Sequence, residues 1–275
     1  VLVANGRLSA GAFRLYQRFG ALSRGMLETI VWIGAKSALD ADRFVELGAP
    51  SARVAVTGAL KFDLDVDEAT RQASRQLRAS WGPRPVWIAG SPHPGEEEQV
   101  LIAHAALRRR FPDALLILVP RHPQRFDEVN AHCLEAGERV QRLSTGPALI
   151  ASTTLLLGDT MGDLMTLYGC ADVAFVGGSL TPIGGHNLLE PAALGVAVVS
   201  GPHLDNLREI ADTLAQSDAR VQVENGQALG ETLVALLSDD ARRHELGEAG
   251  RAVVAANRGA LARTRAKIAV LLNDS

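Results

Sequence analysis

DVAFVGGSLTPIGGHNLLEPAALG, residues Asp172–Gly195, is the stretch that decides the fold. The apolar run Val173–Val176 is short and bounded by turn residues, the pattern of a strand. A glycine-rich loop follows, and Ala192–Gly195 is compatible with a helix. Strand, loop and helix N-terminus in that order are the repeating unit of a parallel α/β sheet. Gly177, Gly178, Gly184 and Gly185 let the backbone turn sharply and approach a ligand without Cβ interference. The helix beyond offers unpaired N–H groups and a positive dipole end, which suit a phosphate. Glu190, in its first turn, is placed to accept hydrogen bonds from both hydroxyls of a ribose. The stretch therefore reads as a sugar-nucleotide site, although glycine-rich strand–helix turns also arise for structural reasons alone.

The same alternation extends in both directions. Strands are expected at Leu2–Ala4, Ile30–Ile33, Arg53–Val56, Val86–Ala89, Leu115–Val119, Thr154–Leu157, Val173–Val176, Val196–Ser200 and Arg220–Val223. Helices are expected at Ala12–Thr29, Ala38–Leu47 and Glu96–Arg110, and from Gly226 the chain reads as helix only, ending in Ala260–Leu272. The fold class is α/β, with parallel sheets in two units. Residues 1–62 form part of the first domain, and the polar segment 63–84, with Gly82-Pro83, is a linker or inter-domain helix. Residues 85–258 form the second domain and 259–275 a C-terminal helix.

Composition narrows the function. The chain is 47% hydrophobic and 21% charged with net charge −3, an ordinary globular balance. Aromatics make up only 4%, which argues against an aromatic platform for nucleic-acid bases. Cys133 and Cys170 have neither disulfide-framework nor metal spacing, so a reduced, cytosol-facing protein is expected. There is no GxxxxGK[ST], no GxGxxG after a strand, no HExxH and no GxSxG. No cofactor and no metal are expected. The chain opens on VLVANGRLS, which reads as a strand already under way, so a fragment beginning inside a domain is expected.

Ligands in parallel α/β sheets sit beyond the carboxyl ends of the strands. After Val86–Ala89 stand Ser91 and His93, either ligand contacts or a plain turn, and then Glu96–Glu98, acids that a helix dipole explains by itself. After Leu115–Val119 stand Pro120 and Arg121. A guanidinium held between prolines suits an anion or a pyrimidine, unless it simply pairs with Asp127 or Glu128. After Thr154–Leu157 come Asp159, Thr160 and Asp163, which read as helix caps, with Gly162 left to admit a ligand. Lys61 stands where the first unit gives way to the linker. Arg7, Arg14, Arg18 and Arg24 precede the first acid, Glu28, and form either a solvated helix surface or a patch for anionic groups.

These segments resemble the 3-deoxy-D-manno-octulosonic acid (Kdo) transferases of bacterial lipopolysaccharide synthesis. ANGRLS (Ala4–Ser9), TGALKFD (Thr57–Asp63), RPVWIAGS (Arg84–Ser91), LLILVPRHPQRFDEV (Leu115–Val129), Leu155–Leu180, GGHNLLEPAALG (Gly184–Gly195) and SGPH (Ser200–His203) occur in the family's order. The resemblance covers nearly the whole chain and implies a GT-B architecture, two Rossmann-like domains facing each other across a cleft. It implies a donor domain that binds CMP-Kdo through Pro120 and Arg121, Met161, Gly162 and Asp163, and Asn187, Leu188, Leu189 and Glu190. Ser91, Gly185 and His186 stand beside these motifs as candidate donor contacts. Lys61 matches the family lysine that steadies charge during transfer. The family's base is a glutamate in the acceptor domain, expected upstream of Val1, as is the region that associates with the membrane. The implied partners are CMP-Kdo and a lipid A precursor, with no nucleic acid, at the cytoplasmic face of the bacterial inner membrane. The alternatives are another GT-B enzyme using a UDP-sugar and a non-catalytic nucleotide-binding module. The chain departs from the family in Asp163 for Glu, in Leu188 for Pro, and in SPHPGEE for STHEGEE.

Overall fold

The computed structural model describes residues 1–146 and 148–273. The chain divides into two compact units: Val1–Leu64 with the segment from Val254, and Asp65–Val253.

The first unit holds β1 (Leu2–Gly6), α1 (Ala10–Arg18), α2 (Gly20–Glu28), β2 (Trp32–Ala35), α3 (Ala38–Glu46) and β3 (Val54–Val56). The strands form a parallel sheet in the order β1-β2-β3. The single helix expected over Ala12–Thr29 is two: the backbone leaves helical geometry at Phe19, at φ −102° and ψ 37°, and restarts at Gly20. Periodicity continues across the break, so the pattern alone conceals it. Ser9 and Ser37 cap α1 and α3 through their hydroxyls, as side chains of that type do at helix starts. Leu8, Leu27, Ile33, Phe44 and Leu47 make the core. Arg14, Arg18 and Arg24 are exposed on α1 and α2.

The second unit contains α4 (Glu68–Ala79), β4 (Val86–Gly90), α5 (Glu96–Arg110), β5 (Leu115–Val119), α6 (Phe126–Glu135), β6 (Val140–Arg142), β7 (Leu155–Leu157), α7 (Leu164–Tyr168), β8 (Val173–Val176), α8 (Leu189–Ala193), β9 (Ala197–Ser200), α9 (Arg208–Gln216), β10 (Arg220–Gln222) and α10 (Gly226–Ser238). α11 (Asp240–Asn257) contains the division between the units, and α12 (Ala260–Asn273) belongs to the first. The start of α12 is held by Asp63, whose carboxylate accepts the Gly259 and Leu261 amides, and by Arg263 donating to the Thr57 carbonyl at 2.9 Å.

Of the segment 63–84, read as a linker or inter-domain helix, Glu68–Ala79 is helix. Asp67 caps α4, and Ser74 donates from within it to the Thr166 carbonyl at 2.9 Å, tying α4 to α7. β6 was not expected; its polar Val-Gln-Arg lies at the sheet edge, where one side of the strand stays solvated.

All strand pairs of the seven-stranded sheet are parallel, in the order β10-β9-β8-β4-β5-β7-β6. Alternate residues serve opposite faces. Trp87 and Ala89 pack with α5 and α10, while Val86 and Ile88 pack with Tyr168 and Cys170. Chain order runs outward from β4 through β5, then returns to its other side with β8. Ligands in such sheets bind at the reversal between β4 and β8.

One buried group ties stability to pH. The Trp87 indole donates to His104 Nδ1 at 3.1 Å, so Nε2 carries the proton and donates to the Thr154 carbonyl at 3.1 Å. Burial holds the His104 pKa down at about 3, with Arg108 adding to the depression. A histidine kept neutral when folded binds its proton more readily when unfolded, so stability is lost as pH falls from 6.5 toward 3. The loss from this residue is about 1.4 kcal/mol per pH unit. Urea unfolding at several acidic pH values should show a shallower pH slope for His104→Gln than for the parent. Equal slopes would refute this account.

Candidate functional site

The loops after β8, β4, β5 and β7 are neighbours along one sheet edge because those strands are neighbours in the sheet. Each loop carries residues singled out in the sequence.

At the centre, β4 ends on Gly90, where a Cβ would lie 2.1 Å from the buried Tyr168 hydroxyl. Ser91 then takes φ +59°, and its amide donates to the Val119 carbonyl at 2.8 Å. That backbone conformation is uncommon outside glycine and persists where its surroundings enforce it. Gly177 fits tightly against this turn, since a Cβ there would meet Pro92 Cα at 2.5 Å.

Glu96 locks the two loops together. Its side chain is fully buried, and its carboxylate accepts four main-chain N–H groups: His93 at 2.9 Å, Gly178 at 2.6 Å, Ser179 at 2.9 Å and Leu180 at 2.8 Å. The dipole reading of Glu96 from sequence is thus incomplete. Its distinguishing feature, an acid at a first helical turn facing a glycine-rich loop, needs the β4–β8 adjacency to become visible. Three amides of the glycine-rich loop, those of Gly178, Ser179 and Leu180, are thus engaged by this carboxylate. The helix that follows, α8, has only five residues, so it supplies little dipole.

Two imidazoles meet over the loop. His93 Nε2 and His186 Nε2 are 2.8 Å apart, and the rings are parallel within 6°. His122 stands edge-on to His93 at 5.3 Å. Burial pushes the His186 pKa down to about 4, helped by His93 and Arg121, and burial likewise lowers His93.

Arg121 follows the buried Pro120 and is exposed. The acids nearest in sequence are engaged elsewhere: Asp127 pairs with Arg142 and Glu128 with Arg125. Arg121 nevertheless acts on His93, His186 and Glu190 electrostatically, which places it in this constellation. Glu190 is half-buried, and burial raises its pKa against the opposing effects of Asn187 and Arg121. Asn187 donates to the Glu190 carboxylate at 3.1 Å and accepts the Leu189 amide at 3.1 Å, so it orients both the acid and the turn.

Leu188 and Leu189 are fully buried. They hold the turn from beneath, and only their backbone can face a ligand. Gly185 has φ +80°, with a Cβ position 2.4 Å from a Leu204 methyl, so glycine is required there for packing as well as conformation.

At the β7 end, Met161 is 73% exposed and Gly162 has φ +95° with open space around its Cα. Asp163 occupies the cap position of α7, but its side chain makes no capping bond. The capping expected of Asp159 is also absent. Its carboxylate binds Arg142 Nε at 2.6 Å and the Ser144 amide at 2.8 Å, closing β6 onto β7. Lys61 belongs to the other unit, in the turn Leu60–Phe62, and is exposed.

A cavity of about 440 Å³ beside α5 is lined by Glu97, Glu98, Glu128 and Glu135 with Arg125 and His132. Its carboxylates disfavour an anionic ligand. Among the described residues no helix is long and apolar enough to cross a membrane.

Residues 1–64 match the family described as 3-Deoxy-D-manno-octulosonic-acid transferase (kdotransferase), and residues 83–253 match Glycosyl transferases group 1. The 3-deoxy-D-manno-octulosonic acid transferase of Haemophilus influenzae is 39% identical over 264 residues, covering 95% of this chain and 62% of that protein. That of Bordetella pertussis is 35% identical over 266 residues, covering 95% and 61%. The crystal structure of the C-terminal CMP-Kdo binding domain of WaaA from Acinetobacter baumannii superposes with a TM-score of 0.65 and 35% identity, over 68% of this chain and 99% of that one. The chain thus spans 62% and 61% of the length of these two curated relatives. With two parallel-sheet units of the GT-B class, it belongs to the 3-deoxy-D-manno-octulosonic acid transferase family.

Proposed function

We propose that the second unit binds CMP-Kdo as the donor for glycosyl transfer to a lipid A precursor in lipopolysaccharide synthesis. The observation that supports this reading is that Arg121, Met161–Asp163 and Asn187–Glu190 follow β5, β7 and β8, whose ends lie along one edge of the same parallel sheet. In this reading Glu190 accepts the ribose hydroxyls, Asn187 orients it, and the Met161–Asp163 turn and Pro120 bound the nucleotide. Kdo leaves through an oxocarbenium-like state, so negative charge grows on the CMP phosphate. Arg121 supplies a fixed cation for that charge, with low reorganisation cost. Lys61 matches the family lysine that steadies charge during transfer, and a base must still deprotonate the acceptor hydroxyl. The family relationship, and the donor named for the Acinetobacter baumannii domain, support this assignment.

Calorimetry on this chain tests it. CMP is expected to bind at least about tenfold more tightly than UDP, a difference of about 1.4 kcal/mol. Tight UDP binding with none of CMP would replace the reading with a UDP-sugar enzyme.

A further inference from the structure

Most amides of the glycine-rich loop already have acceptors within the protein. The Gly177 amide donates to the Gly90 carbonyl, Gly185 to Gly178 and His186 to Gly177, while Gly178, Ser179 and Leu180 donate to Glu96. What converges here instead is His93, His122, His186 and Arg121, carried by the β4 and β5 ends and the loop after β8.

The His93–His186 geometry is specific. With Nε2 atoms 2.8 Å apart, centroids 5.0 Å apart and planes within 6°, the rings lie end to end, not face to face. That is an in-line Nε2–H···Nε2 hydrogen bond, which holds one proton between the two nitrogens. With both Nε2 atoms protonated, two N–H groups would face each other, and an acceptor must come between or beside them.

We propose that His93 and His186 form the receptor for the donor's anionic group, sharing one Nε2 proton until the anion arrives and taking up a second with it. This rests on the donor-site reading above. The ring that accepts at Nε2 gains a proton there from solvent, keeps its Nδ1 proton and becomes cationic. Both Nε2–H groups then donate to the anion.

The surrounding groups favour this exchange. Burial, His122 and Arg121 all oppose charge on the pair, whereas Glu96 and Glu97 favour it. Glu96 is already saturated by four amides, and Glu97 pairs with Arg125. An incoming anion supplies the missing negative charge, which raises imidazole pKa values.

The test uses the methyl ester of CMP, a phosphodiester with no group of its own titrating near neutrality. Calorimetry at about pH 5 in buffers of different ionisation enthalpy should show net proton uptake, roughly 0.4 per nucleotide bound for a rise of about one unit from a His186 pKa of about 4. His122→Asn should retain that uptake and His186→Asn should lose it. Binding without uptake, or uptake surviving His186→Asn, overturns the proposal and leaves the donor-site reading standing.

A second measurement needs no nucleotide recognition and no variant. Imidazole NMR titration in sulfate, against chloride at equal ionic strength, should raise the His186 pKa by about one unit. If the nucleotide fails to bind while sulfate produces this shift, the donor reading falls and the anion receptor stands. If neither binds nor shifts, both fall.

Discussion

Glu96→Ala is expected to lower the melting temperature of the chain by about 10 °C. Four main-chain N–H groups converge on that carboxylate, and alanine leaves all of them without an acceptor in a buried place. An orphaned buried donor costs about 1–3 kcal/mol, and partial relaxation or entering water reduces the sum. A net loss of about 4 kcal/mol is therefore reasonable, and it corresponds to roughly 8–16 °C for a domain of this size. Glu96→Gln provides the graded comparison. One amide oxygen can still serve two of the four donors, while the NH₂ opposes the other pair. It should fall between the parent and alanine. The change should also appear in amide hydrogen exchange, fastest at Gly178, Ser179 and Leu180. A melting temperature for Glu96→Ala within about 2 °C of the parent would show that the bonds contribute little.

Glu190→Ala is expected to weaken CMP binding about a hundredfold, close to 2.7 kcal/mol. A half-buried carboxylate, aimed by the Asn187 amide, loses little orientational freedom when it accepts two ribose hydroxyls. Hydrogen bonds to a charged group contribute about 1.5–3 kcal/mol. The specific reading is a double cycle with 2′,3′-dideoxy-CMP. The parent should bind that analogue poorly, and Glu190→Ala should bind CMP and the analogue alike. If the substitution weakens both ligands equally, Glu190 shapes the turn and does not hold the ribose. Because burial raises the Glu190 pKa, the ionised form that accepts both hydroxyls is lost on acidification at a higher pH than for an ordinary glutamate.

The two substitutions separate functions that a linear reading places side by side. Glu96 and Glu190 are both acids in the first turn of a helix after a glycine-containing loop. From sequence Glu96 reads as a partner of the helix dipole and Glu190 as an acceptor for a ribose diol. Only the first is surrounded by another loop's amides, because β4 and β8 are paired in the sheet. The second stays half-exposed at the sheet edge, with a side-chain amide as its partner.

Much of the fold was legible without coordinates. Short apolar runs such as Leu115–Val119 and Val173–Val176, bounded by turn residues, are the pattern of strands covered on both faces, and both are strands buried along their whole length. Patterns in which two periods overlap were less legible. The break at Phe19 interrupts a continuous amphipathic signal, and β6 has too little apolar character to stand out. The polarity of the α4 segment left linker and helix both open in the sequence, since it presents few apolar groups and is anchored partly by Ser74.

For the site, sequence by itself determined which residues stand after the strands: Arg121, Asn187, Glu190 and the glycines that permit the turns. That follows from a local rule, since a strand end and the next helix start are contiguous in the chain. Which of those loops touch was decided by tertiary structure alone. The β4–β8 pairing brings Glu96 under the glycine-rich loop and sets His93 against His186, a separation of 93 residues in sequence. No propensity or motif encodes that distance, because the hydrogen bonds that create it depend on strand order, and strand order is fixed by how the whole sheet buries its two faces.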